Sequence, residues 1–155
     1  MNRTLLIPAL VALAFAASPS FAAVEHSHEH AQVQELTLDH GRKWPTDETL
    51  RTQMEGLRTA LAKHQSGDKH APLSREDARA LGLRVEQGVV TILRECRLGP
   101  DADRNLHVIV AELVQSSDVL QGKVPGDSAE ATRRARHALE AYGRHFEHPG
   151  WKRLS

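Results

Sequence analysis

Four stretches of the chain repeat apolar residues every three or four positions, each bounded by residues that start or stop a helix. Leu50, Met54, Leu57 and Leu61 form one such stripe, which predicts a first helix from about Asp47 to His64. Thr46 or Asp47 is placed to cap its free N–H groups, and Pro45 biases Trp44 away from helical geometry. A second helix starts at Ser74, where Ser-Arg-Glu-Asp has the capping-box form. Its stripe is Ala78, Leu81, Val85, Gly88/Val89, Ile92 and Cys96. "RLGP" ends it: Gly99 can turn left-handed and Pro100 bars continuation. A third helix runs from about Asp101 to Gln121, with Leu106, Ile109/Val110, Leu113 and Leu120 inward. The fourth starts near Asp127 or Ser128 and reaches "HPGW", with Ala135, Ala138/Leu139, Tyr142 and Phe146 on its stripe. No stretch alternates with period two for long enough to argue a strand. The expected fold is all-α, an antiparallel up-down-up-down four-helix bundle over 44–155.

What precedes the bundle divides in two. "MNRTLLIPALVALAFAASPSFA", residues 1–22, reads as a secretory signal peptide: Arg3, an apolar run, then Ser20-Phe21-Ala22 as the small-residue cleavage pattern. The run is shorter than the roughly 20 residues that span a bilayer, so no membrane insertion is expected. Residues 23–43 are polar, lack helical periodicity and carry His26, His28, His30 and His40, which predicts a flexible histidine-bearing tail with a turn at Gly41. The expected location is therefore the periplasm. Twenty basic residues balance twenty acidic ones, so there is no basic excess to attract nucleic acid or an anionic membrane surface.

One cysteine in an exported chain excludes an intrachain disulfide. Cys96 is then an inert core residue, half of a disulfide between chains, or a metal ligand. An inward thiol reaches another chain poorly. In an antiparallel bundle the start of the first and third helices shares a layer with the end of the second and fourth. That layer collects Trp44, Cys96, His107, Tyr142, His145, Phe146, His148 and Trp151. Taken singly, each polar member has a plain structural reading: a satisfied interhelical histidine at His107, a dipole-favoured C-terminus at His145 and His148. Taken together, a thiol and imidazoles from three helices at similar height suit copper or zinc. Gly88 and Gly143 weaken their helices by about 1 kcal/mol each relative to alanine, which close helix contact or space for a bound group would explain.

The tail offers a second candidate metal site, because alternating His26, His28 and His30 can chelate through neutral imidazoles. Cleavage after Ala23 rather than Ala22 would also leave a Val-Glu-His start, which binds Cu(II) or Ni(II) in a plane of nitrogens.

The segments "YGRHFEHPGW", "GRKWPTDETLR" and "CRLGPDADRNLH" resemble a group of small exported all-helical bacterial proteins that end in a Tyr-x-x-x-Phe-x-His-Pro-Gly-Trp type motif. The resemblance implies the fold and brings no activity with it. The architecture is also similar to exported haem-binding bundles. "CRLGP" departs from the Cys-x-x-Cys-His of the covalent branch, whereas Met54 and His145 sit where the b-type branch holds haem. No nucleophile elbow, phosphate loop or His-Glu-x-x-His occurs, and no Glu-x-x-His pair for a di-iron site. The expectation is a non-enzymatic periplasmic metal-binding protein, copper first and zinc next, with Cys96, His107, His145, His148, His26, His28 and His30 as candidate ligands. The alternative is a structural or interaction protein of the cell envelope without metal; the third reading is b-type haem binding. Val108, Val114 and Val119 lie outside the main stripe, and a homodimer through them is a further expectation.

Overall fold

A computed structural model describes residues 35–64 and 73–154. Within them the chain forms α1 (Glu48–Lys63), α2 (Arg75–Glu95), α3 (Pro100–Leu120) and α4 (Ser128–His145), and no strand. The bundle expected from the apolar stripes is the bundle observed. Leu50, Met54, Leu57 and Leu61 are all fully buried, as are Val85, Leu113, Ala135 and Leu139. Each helix packs on the next, and α4 closes lightly on α1. The predicted signal peptide and His26, His28 and His30 lie outside the described residues.

Cross-links at both ends fix the up-down-up-down order. At one end, here the cap end, the segment before α1 pairs with the segment after α4: Trp44 N donates to His145 O at 2.8 Å and Glu147 N to Trp44 O at 2.8 Å. Arg97 N, just past α2, donates to Asp47 Oδ2 at 2.6 Å. Thr37 N donates to Asn105 Oδ1 in the second turn of α3 at 2.8 Å. At the far end, Ser117 Oγ of α3 donates to Gly82 O of α2 at 3.0 Å.

Three boundaries differ from the sequence reading. First, the predicted tail at 23–43 is docked from residue 35 onward. Leu36 packs against the core, Thr37 is held by Asn105, and Asp39 and Arg42 bond backbone to backbone both ways at 2.9 Å. Between them His40 and Gly41 both take positive φ, 48° and 82°, as a tight two-residue turn demands. Second, Gly99 is not left-handed. With φ −67° and ψ 156° it is the N-cap of α3, and Pro100 occupies the first helical turn, where its missing N–H costs nothing. Residues 96–99 leave α2 extended because Arg97 N is claimed by Asp47. Third, α4 stops at His145. Phe146 is extended, φ −116° and ψ 140°, because it forms a parallel bridge with Trp44.

Gly88 and Gly143 mark close packing. A Cβ on Gly88 would come within 3.1 Å of Leu57 Cδ2, and one on Gly143 would collide with the Trp151 indole. Of the three valines expected on a second apolar face, Val119 packs against the core and Val114 stays exposed.

Candidate functional site

The cap end gathers most of the chemistry, and Asp47 organises it. Oδ1 accepts from Leu50 N at 2.7 Å, which caps α1. Oδ2 accepts from Arg97 N, which ties down the end of α2. The Cys96 thiol donates to the same carboxylate. Burial opposes ionisation of Asp47, yet these backbone and thiol donors together hold its carboxyl below the usual carboxylate range. The reciprocal effect falls on Cys96. Burial first, then the charge and hydrogen bond of Asp47, push the thiol up to about 12. Cys96 is thus a half-buried thiol at the α2 C-cap that packs against the core and also meets Asp47. The sequence rules suggested Asp47 as a cap; nothing in the spacing showed that it also serves Arg97 and Cys96, fifty residues on.

Above this carboxylate lies the aromatic plug. Tyr142 and Phe146 are fully buried and stack at 5.4 Å between centroids. Trp151 meets Tyr142 edge-on at 4.9 Å. Aromatic pairs in these geometries contribute roughly 0.5–1.5 kcal/mol beyond their buried area. Trp44 joins the plug through its backbone bridge to Phe146, and its indole Nε1 donates to Thr37 O at 2.7 Å. The four aromatics therefore share the end where the antiparallel order puts them.

The histidines arrive at this end without converging. His107 Nδ1 sits 2.9 Å from Asp103 O, one turn back on its own helix, with Asp103 Oδ2 at 3.4 Å and over half of its side chain in solvent. His145 Nδ1 sits 2.8 Å from Ala141 O in the same arrangement. A carbonyl only accepts, so both rings carry the proton on Nδ1 and, when neutral, present Nε2 as the lone pair. His148 is not on the last turn of α4 beside His145. It folds back beyond the helix end, with Nδ1 2.9 Å from the Tyr142 hydroxyl and its ring 5.0 Å from that of Trp151. Burial, with Arg51 and Arg58 nearby, holds its pKa below the ordinary histidine value; Glu55 opposes this.

Among the described residues no three His, Cys, Asp or Glu side chains come together in a way that could hold a metal ion. Cys96, His107, His145 and His148 share a layer, but among the described residues they are not gathered into one coordination shell. Met54, the other half of the haem reading, is sealed in the core with no exposed surface. No helix among the described residues is long and apolar enough to cross a membrane. Compared with known families, proteins and solved structures, the chain matches none.

Proposed function

We propose that the protein is a non-enzymatic binding protein of the bacterial periplasm that takes up a transition metal, copper before zinc, on neutral imidazoles, for buffering, tolerance or handover. The observation that carries the reading is the state of His107 and His145. Ligating histidines are commonly oriented by donating one ring N–H to a carbonyl or carboxylate while the other nitrogen binds. Both residues have that bond to their own helix, which leaves Nε2 for a ligand. His26, His28 and His30 supply further imidazoles from the preceding segment. Cys96 is set apart from these imidazoles by position: it lies half-buried at the α2 C-cap, and among the described residues it joins no group of three His, Cys, Asp or Glu side chains that could hold a metal.

Metal content by mass spectrometry, on untagged protein from copper-supplemented cells, tests this. The wild type is expected to carry copper, Cys96→Ala to carry as much, and a chain lacking His26, His28 and His30 to carry less. A wild type with no more copper than the chain lacking those histidines, His107 and His145 together would end the reading.

A specific feature favours the envelope interaction reading as the second. Leu83, Val90 and Leu93 are 40, 44 and 54% exposed along the outer face of α2. Val114 on the neighbouring α3 is 39% exposed. Exposed apolar residues that share one face of a helix can serve association, and a second copy of the chain is the simplest occupant. Sedimentation of the wild type against Leu93→Glu checks it, with a dimer lost in the variant as the expected outcome.

A further inference from the structure

A second feature of the cap end lies on the outside of α4. The last turn of α4, the Lys43 segment and the returning C-terminal residues enclose a cleft of about 500 Å³, lined by Lys43, Glu140, Arg144, His148, Trp151 and Arg153 among others. Its shape follows from two glycines. Gly150, at φ +82°, reverses the chain after Pro149. Gly143, lacking a Cβ, lets the Trp151 indole lie directly on α4. Leu154 is buried beneath, so Arg153 is carried to the rim of the cleft by an anchored tail.

The charge there is lopsided. Three cations from three separate segments, Lys43, Arg144 and Arg153, face one carboxylate, Glu140, in a chain whose formal net charge is zero. Glu140 pairs with Arg144 at 4.0 Å, so the excess positive charge rests on Lys43 and Arg153. Lys43 Nζ donates to Gly143 O at 2.7 Å, which pins the ammonium at the rim with its other N–H groups unused. Among the described residues no carboxylate pairs with Lys43 or Arg153. Walls built almost wholly of donors call for an acceptor-only group, and guanidinium forks match the oxygens of a phosphate. The cleft has room for more than a bare phosphate, and Glu140 is an acceptor for hydroxyl groups on the remainder. The lining is polar, which excludes an apolar occupant.

We propose that this cleft binds a hydroxyl-bearing phosphate ester, the phosphate held by Arg144, Arg153 and Lys43 and the hydroxyls by Glu140. Such a group belongs to a soluble phosphorylated polyol or to a lipid headgroup, and glycerol phosphate represents both. Its cations are distinct from His107 and His145, which carry the metal reading, and the site stands or falls without them.

Isothermal titration of the full mature chain, treated with a chelator, against glycerol phosphate is the test, alongside co-sedimentation with phosphatidylglycerol vesicles. Saturable binding is expected, weakened about tenfold or more in Arg144→Gln/Arg153→Gln, since each lost charged hydrogen bond is large on the affinity scale. Both side chains lie at the surface, so circular dichroism and the melting temperature should stay unchanged. Arg79→Gln/Arg94→Gln on α2 removes the same charge elsewhere and should bind like the wild type. Vesicle binding without binding of the free ester would assign the lipid as the source. No saturable binding to either, or equal weakening in both double variants, overturns the proposal.

Discussion

The two ends of the bundle are built on different physical principles. At the far end, backbones come together because side chains are missing. Gly82 lets Ser117 O and the Leu120 Cβ within 3.0 Å of where a Cβ would stand, and Gly126 does the same for Val119. Of the polar links there, the Ser117 hydroxyl to Gly82 O is buried, whereas Lys123 to Glu86 and to Asp118 are exposed ion pairs, which contribute little. At the cap end, by contrast, four chain segments are tied through large rings and through side chains that bond to foreign backbone: Asp47 and Asn105 accept from Arg97 N and Thr37 N, and the Thr46 hydroxyl donates to Glu147 O at 2.5 Å. Glycine contact is indifferent to pH and reagents. Carboxylate, thiol and imidazole contact is not. The difference teaches that a response of this bundle near neutral pH, or to oxidants, should be read at the cap, since the far end's own ionisable link, Lys123 to Glu86, responds to acid only in the carboxylate range.

The largest expected contrast is in packing. Tyr142→Ala removes a fully buried ring that touches Phe146, His148 and Trp151, and should cost about 3–5 kcal/mol. Val119→Ala at the far end removes two methyl groups from a partly buried site and should cost about 1–2 kcal/mol. Urea unfolding of both variants, with equal slopes, measures the difference. Equal losses would remove the plug's claim to be the keystone of the fold.

Asp47→Ala comes next. It strips the α1 cap and leaves Arg97 N without its partner, at about 1–3 kcal/mol in all. Ser117→Ala, which loses only the bond to Gly82 O, should cost about 1 kcal/mol. Asp47→Asn sharpens the comparison, because it keeps an acceptor for Leu50 N and deletes the charge. The thiol pKa should then fall from about 12, and alkylation of Cys96 above neutral pH should be faster than in the wild type. Unchanged alkylation would mean that burial alone protects the sulfur. The linkage sign is also fixed. A thiol raised in the fold favours the folded state below its unfolded pKa of about 8.5, and that contribution fades as the pH climbs through the range above.

The fold was legible because burial is periodic: each stripe named by spacing is the buried face, and the capping signals at Asp47, Ser74 and Asp127 each accept from the helix they precede. Chain order then placed the aromatics at one end, since alternating direction leaves little freedom. Side-chain direction was not legible. Cys96 fits the α2 stripe by count and packs at the edge of the core, but the helix stops at Glu95, and nothing in the spacing showed Asp47 beside the thiol. His145 and His148 are three apart, yet the bridge from Trp44 to Phe146 ends the helix between them. Period gives a residue's height and face only while the helix lasts; where a distant segment claims the backbone, position must come from the fold. Asn105 was legible in principle, as a polar residue beside Leu106 on the inward side of α3.

The smallest expected effect is the one most confined to the cap. His148 sits against Tyr142 and Trp151, with Arg51 and Arg58 working against its protonation and Glu55 for it. Burial is the largest cause, and it holds the folded pKa below the unfolded value of about 6.5. Below that value the unfolded chain binds the proton more readily, so stability falls as pH falls through about 6.5 and levels off below the folded pKa. The depressed carboxyls of Asp47, Glu55 and Glu86 act in the same direction, but only as the pH falls through the carboxylate range, so the windows separate. His148→Gln keeps a side chain able to bond the Tyr142 hydroxyl and cannot titrate. Its urea midpoint should be flat between about pH 7.5 and 5.5, where the wild type declines. Ser117→Ala, damaged at the far end, should decline in parallel with the wild type. If His148→Gln declines just as steeply, the proton is taken up elsewhere and the cap is not where this bundle senses acid.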